Sequence, residues 1–123
     1  MSDELSRLPP NVQERLLRLQ QLQQTLQSIL AQKQQVEMEK TEVEQTVTEL
    51  QKTAEDAVIY KAIGSLLVKA ERPKVTEDLV ERKELLETRS TVLARQEERM
   101  RSQIKEAQAK LQEDLSPVSQ PSS

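Results

Sequence analysis

Apolar residues recur along the first half of the chain in a sustained three-four alternation. Heptad steps from Leu5 give Leu5, Val12, Leu19, Leu26, Lys33, Lys40, Val47 and Ala54, and steps from Leu8 give Leu8, Arg15, Leu22, Ile29, Val36, Val43, Leu50 and Ala57. All but Arg15, Lys33 and Lys40 are apolar, and neither proline nor glycine interrupts the series after Pro10. Such a stripe is the seam of a coiled coil. It predicts a helix over 11–56, with Asn11 as N-cap and Glu14 in the capping-box position, unless Pro9 or Pro10 opens the first turn earlier. An arm of that length measures roughly 70 Å and needs a partner to cover its stripe.

A second, weaker stripe follows. Leu79, Leu86, Leu93, Met100 and Ala107 alternate with Lys83, Ser90, Glu97, Ile104 and Leu111. It predicts a helix over 76–114, separated from what precedes it by Pro73, with Thr76 as N-cap and Glu77 and Asp78 in the first turn. Asp78 with Arg82, Glu97 with Arg101 and Glu106 with Lys110 are acid-to-base pairs at helical spacing, each contributing about 0.3 kcal/mol. Ser116-Pro117 stops this helix, and 115–123 has the composition of a disordered tail. Folding the arms antiparallel with Ala57 near Thr76 brings Lys40 near Leu93, Val36 near Glu97 and Lys33 near Met100. The polar interruptions of the two seams then meet. Either Lys33 or Lys40 approaches Glu97 and fixes register, or these long side chains snorkel to water.

Between the arms the pattern changes. VIYKAIGSLLVKA, from Val58 to Ala70, holds the chain's single glycine and single aromatic residue. A glycine-first two-residue loop, Gly64-Ser65, flanked by β-branched and apolar residues is the signature of a type II′ hairpin, expected within 57–71. Ile63 would face Leu66, Lys61 face Val68, and Ile59 face Ala70. One side then shows Ile59, Ile63, Leu66 and Val68, and the other Val58, Tyr60, Ala62 and Leu67. A lone hairpin is marginal in water, so one greasy on both sides is expected to find its missing strands in other chains. The alternative is a short apolar linker.

Composition narrows the function. With 32% charged residues and 1% aromatics in 123 residues, the chain has the profile of a coiled coil and forms at most one domain. It contains no cysteine and no histidine. The usual nucleophile–base pairs and zinc ligands are therefore missing, no nucleotide-binding glycine loop occurs, and neither enzymatic activity nor a cofactor is expected. Paired carboxylates such as Glu97 and Glu98 read as solvated helix surface. A net charge of −3 without a basic stripe argues against nucleic acid. The absence of an apolar run of spanning length argues against membrane insertion, and the lack of a signal-peptide pattern and of cysteine suits a cytoplasmic protein.

The remaining candidate surface lies at the arm ends. Leu5, Leu8, Val12, Leu16, Leu17 and Leu19 near the N-terminus, with Leu111, Leu115 and Val118 near the C-terminus, should gather where the termini meet. Coiled-coil ends fray, and an exposed apolar patch marks an interaction site. The same residues could instead merely complete the seam, although Leu16 and Leu17 exceed what a two-helix seam needs.

Helix, central hairpin and antiparallel helix, with QQLQQ and QKQQVEME in the first arm, VIYKAIGSLLV at the turn and RQEERM in the second, resemble the β-type subunit of prefoldin, the archaeal form above all. The resemblance covers roughly Leu8 to Leu111. It implies a heterohexamer with α-type subunits and further β copies, hairpins joined in a β-barrel platform, and coiled coils hanging from it. It implies an ATP-independent holdase that passes unfolded clients to a group II chaperonin. By position, Val58, Ile59, Tyr60, Ile63, Gly64, Leu66, Leu67 and Val68 would build the platform. Leu5, Leu8, Val12, Leu16, Leu111, Leu115 and Val118 would contact clients, and the distal second arm and tail would meet the chaperonin. Rival readings are a tethering coiled coil and a homo-oligomeric chaperone.

Overall fold

A computed structural model of the chain describes residues 7–115. Helix α1 spans Pro10–Lys52, strands β1 and β2 span Ile59–Ile63 and Leu66–Ala70, and helix α2 spans Arg72–Leu115. The described residues divide into two compact units, 7–32 with 93–115 and 33–92.

In the first unit, α1 opens on Pro10, whose fixed φ suits the first helical position and whose missing N–H would be an orphan there in any case. The Pro9 carbonyl accepts from the backbone N–H groups of Val12 (3.0 Å) and Gln13 (3.1 Å). Asn11 thus lies inside the first turn and is not the N-cap. Its side-chain amide instead donates to Asp114 Oδ2 at 3.4 Å, and Gln13 Nε2 donates to the Leu8 carbonyl at 2.7 Å. Val12, Leu22 and Ile29 of α1 and Leu93 of α2 are buried, with Leu19, Leu26, Met100, Ile104, Ala107 and Leu111 half-buried around them. These are the predicted seam positions. Arg15, the polar interruption, is accommodated because its guanidinium Nε meets Asp114 in the last turn of α2. Both side chains keep contact with water, so the pair contributes at most about 1 kcal/mol. Two of the foreseen helical pairs form here, Arg101 with Glu97 at 2.9 Å and Lys110 with Glu106 at 3.3 Å.

In the second unit, Val36 and Val43 of α1 pack with Leu86 of α2 as the buried layer. Val47, Leu50, Val75 and Leu79 flank it, half-buried. The third foreseen pair is replaced. Arg82 reaches across to Glu39 at 3.7 Å, while Asp78 takes Lys74 at 3.2 Å and Lys61 of β1 at 3.8 Å. The hydrogen bond and charge of Asp78 raise the Lys74 pKa above its usual value.

The helix ends nearest the hairpin differ from the pattern's limits. α1 stops at Lys52, not at 56, so Ala54 is exposed and outside the helix. α2 starts at Arg72, not at 76, with Pro73 in its first turn. Thr76 is therefore no cap, and its hydroxyl donates to the Arg72 carbonyl, one turn back, at 2.9 Å. At the other end Leu115 belongs to α2 and not to the tail; the rest of the tail lies outside the described residues. The cause at the hairpin side is one side chain. The Arg72 guanidinium donates to the carbonyls of Leu50 (2.8 Å), Thr53 (3.1 Å) and Ala54 (2.6 Å), adding to the single backbone bonds that the Leu50 and Ala54 carbonyls accept from Thr53 and Ala57 where the helical ladder runs out. This contact sets the register. Arg72 sits against the end of α1, and Ser90 Oγ lies 3.4 Å from Glu37 Oε1. The pairing of Ala57 with Thr76 is thus replaced by one shifted roughly one heptad, a step that keeps apolar layers facing each other.

β1 and β2 pair antiparallel with Ile63 opposite Leu66, Lys61 opposite Val68 and Ile59 opposite Ala70, the register expected from the turn. Gly64 has φ +59° and Ser65 does not share the positive sign, the combination a type II′ turn requires. A Cβ on Gly64 would meet nothing within 4 Å, so glycine is needed here for its backbone conformation and not for space.

Candidate functional site

The hairpin is the more exposed of two candidate surfaces. Alternation along the paired strands puts Ile59, Lys61, Ile63, Leu66, Val68 and Ala70 on one face, and Tyr60, Ala62, Leu67 and Lys69 on the other. Val58 is 56% exposed, Tyr60 59%, Ile63 55%, Leu66 65%, Leu67 73% and Val68 44%; Ile59 is half-buried. Both faces of a two-stranded sheet therefore meet solvent with large apolar side chains. Fully burying one such side chain is worth about 1.5–3 kcal/mol, so six of them in one short hairpin form a concentrated adhesive surface. Lys61 at the centre of β1 and Lys69 of β2 temper this stickiness, and the Lys61–Asp78 pair ties β1 to α2.

The second surface lies in the unit that holds the first turn of α1 and the last turn of α2. Leu8, Leu16 and Leu111 are half-buried, and Leu115 is 58% exposed. Leu5 and Val118 lie outside the described residues. Val12 departs from its expected role. At 2% exposure it is a core residue, because its seam position points into the helix pair, and it offers nothing to a partner. Leu17 is 58% exposed. Leu16, Leu17 and Leu19 line a depression of about 310 Å³ with Gln13, Gln20 and Gln23. A separate cleft of about 470 Å³ in the same unit is polar, with Glu14, Arg15, Arg18, Glu106 and Lys110 among its walls. The sequence reading passed over the glutamines, although their signal was present. Leu19 to Gln32 contains no charged residue.

Among the described residues no cluster of acidic side chains could hold a metal ion, and no helix is long and apolar enough to cross a membrane.

Two long helices joined by a hairpin with exposed apolar side chains on both faces define a coiled-coil protein of the helix–hairpin–helix class. The Prefoldin subunit family matches residues 13–117. The chain is 45% identical over 113 residues to prefoldin subunit beta of Archaeoglobus fulgidus, covering 92% of this chain and 97% of that one. It is 43% identical over 110 residues to prefoldin subunit beta of Saccharolobus islandicus, covering 89% and 87%. The crystal structure of the prefoldin beta subunit from Thermococcus strain KS-1 superposes with a TM-score of 0.77 at 40% identity, over 86% of this chain and 93% of that one. The beta2 subunit from the same strain shares the fold at a TM-score of 0.65 and 21% identity, over 74% and 97%. The chain belongs to the prefoldin family, as a subunit of the β type. That family is one of molecular chaperones, and membership implies assembly with other prefoldin subunits.

Proposed function

We propose that this chain is one subunit of an ATP-independent holdase, which joins α-type subunits and further β copies through its hairpin and captures unfolded proteins at the unit holding the first turn of α1. The assembly is a heterohexamer of two α-type and four β-type chains around a β-barrel platform, and it delivers clients to a group II chaperonin in the cytoplasm. The observation that carries this reading is the two-sided exposure of apolar side chains on the hairpin, from Val58 to Val68. Such a strand pair gains most by continuing into strands of neighbouring chains.

The client surface is Leu8, Leu16, Leu17, Leu111 and Leu115, with Leu5 and Val118 contributing from outside the described residues. Each copy offers a modest apolar patch, so single contacts are weak and release quickly. Several copies acting on one client add avidity without nucleotide. Selection then follows exposed apolar surface in the client.

The test is the double variant Leu17→Ser with Leu115→Ser, both exposed positions whose change leaves the buried seam intact. Co-expressed with an α-type subunit, it should assemble to the same mass as the unmodified chain and lose suppression of aggregation of a chemically denatured client. Full suppression by the assembled variant would overturn the assignment of clients to this surface.

A further inference from the structure

We infer that the client surface continues along α1 as an uncharged amide stripe that takes extended, uncharged stretches of unfolded polypeptide; the inference rests on the client-binding reading above. The chain carries charge on 32% of its residues, on average one in three, yet none occurs in the fourteen residues from Leu19 to Gln32. Gln20, Gln21, Gln23, Gln24 and Gln27 are exposed there. Elsewhere the exposed helix faces are laced with ion pairs at helical spacing, as in Lys74–Asp78, Arg101–Glu97 and Lys110–Glu106. Glutamine supports a helix about as well as glutamate or lysine but forgoes such pairs. Helix stability therefore does not account for the run.

The geometry supplies another reason. Gln13, Gln20 and Gln23 share the walls of the 310 Å³ depression with Leu16, Leu17 and Leu19. The neighbouring charges, Glu14, Arg15 and Arg18, line the other cleft. Apolar and amide groups thus alternate on a surface free of charge. A glutamine side chain offers two donors and an acceptor, which match the unpaired N–H and C=O groups of an extended backbone. An unfolded segment presents those groups together with apolar side chains. A folded partner presents charges and a backbone already paired within its own secondary structure. Seating a charge against this stripe would strip it of water with no counter-charge on the depression's walls, which disfavours charged segments. The charge match therefore selects uncharged unfolded chain as the occupant.

The experiment uses the full chain assembled with its α-type partner and short labelled peptides in an anisotropy titration. One peptide is built of Leu, Ala, Ser and Gln; two others carry Glu or Lys in place of Ser. The uncharged peptide should bind most tightly, and added salt should not weaken it. Gln20→Glu with Gln23→Glu should reduce its affinity about tenfold, and Gln20→Ala with Gln23→Ala should reduce it less, with helicity by circular dichroism unchanged in both. Equal binding of all three peptides, salt-weakened binding, or both double variants binding like the unmodified chain would overturn the stripe. If in the last case Leu17→Ser with Leu115→Ser still abolishes capture, the leucine surface survives and only the amide stripe falls. If that variant also binds normally, the client-binding reading falls with it.

Discussion

Replacing Arg72 by alanine should destabilise the chain by about 1–2 kcal/mol and loosen the joint between the helices and the hairpin. Its guanidinium donates to three carbonyls at the end of α1. Hydrogen bonds to a charged group are worth about 1.5–3 kcal/mol each when enclosed, and a bare sum would be several times too large. The bonds to Thr53 and Ala54 are exposed, and water replaces them at little cost. The bond to the Leu50 carbonyl is partly buried, and its loss leaves that carbonyl with only the 3.2 Å bond from the Thr53 N–H. Lysine should recover only part of the effect, because an ammonium is a point charge and cannot span three acceptors as a planar fork does. Urea unfolding at fixed protein concentration measures the loss, and amide hydrogen exchange locates it. Protection should fall at 53–57 and in β1 before it falls in the rest of α1. An unchanged midpoint, or a loss of protection spread evenly along both helices, would refute the clamp.

Leu93→Ala, at a position 3% exposed, should cost about 2–3 kcal/mol by emptying a core site that two helices can only partly close; a shift in urea midpoint at constant slope checks it. Gly64→Ala places an L-residue at φ +59° with no steric neighbour, so it should cost about 1 kcal/mol from backbone strain alone, and asparagine should cost less by the same thermal melt. With no histidine in the chain, the melting temperature should be nearly flat between about pH 6 and pH 9. The folded-state pKa of Lys74 is raised above 10.5 by Asp78. Its contribution is thus complete below 10.5 and fades only as pH climbs through the raised value, outside that window.

The heptad stripes and the glycine turn were legible because each is a local rule. Val12, Leu22, Ile29, Val36, Val43, Leu86 and Leu93 are all buried, and each occupies a seam position read from spacing alone. The pairing of Ile63 with Leu66 followed from the two-residue loop. The helix ends by the hairpin were not legible, because Thr53 to Ala57 carries no strong breaker. What stops α1 is Arg72, a residue distant in sequence, and a tertiary contact of that kind leaves no periodic trace. The register error followed directly from those misplaced ends. Val12 shows a different limit. Its spacing marked it equally as seam and as end, and only the burial given by the folded pair separates the two. The amide stripe was visible as a gap in charge, which a search for apolar positions passes over.

On the proposed function, the hairpin completes its sheet with strands of other chains. Light scattering on the purified chain, alone and after addition of an α-type prefoldin subunit, tests it most directly, with Leu67→Asp as the comparison because Leu67 is 73% exposed. The unmodified chain should rise in mass to a hexamer on addition of the partner, and Leu67→Asp should not. A mass that ignores the partner, or a Leu67→Asp chain that assembles as readily as the original, would contradict it.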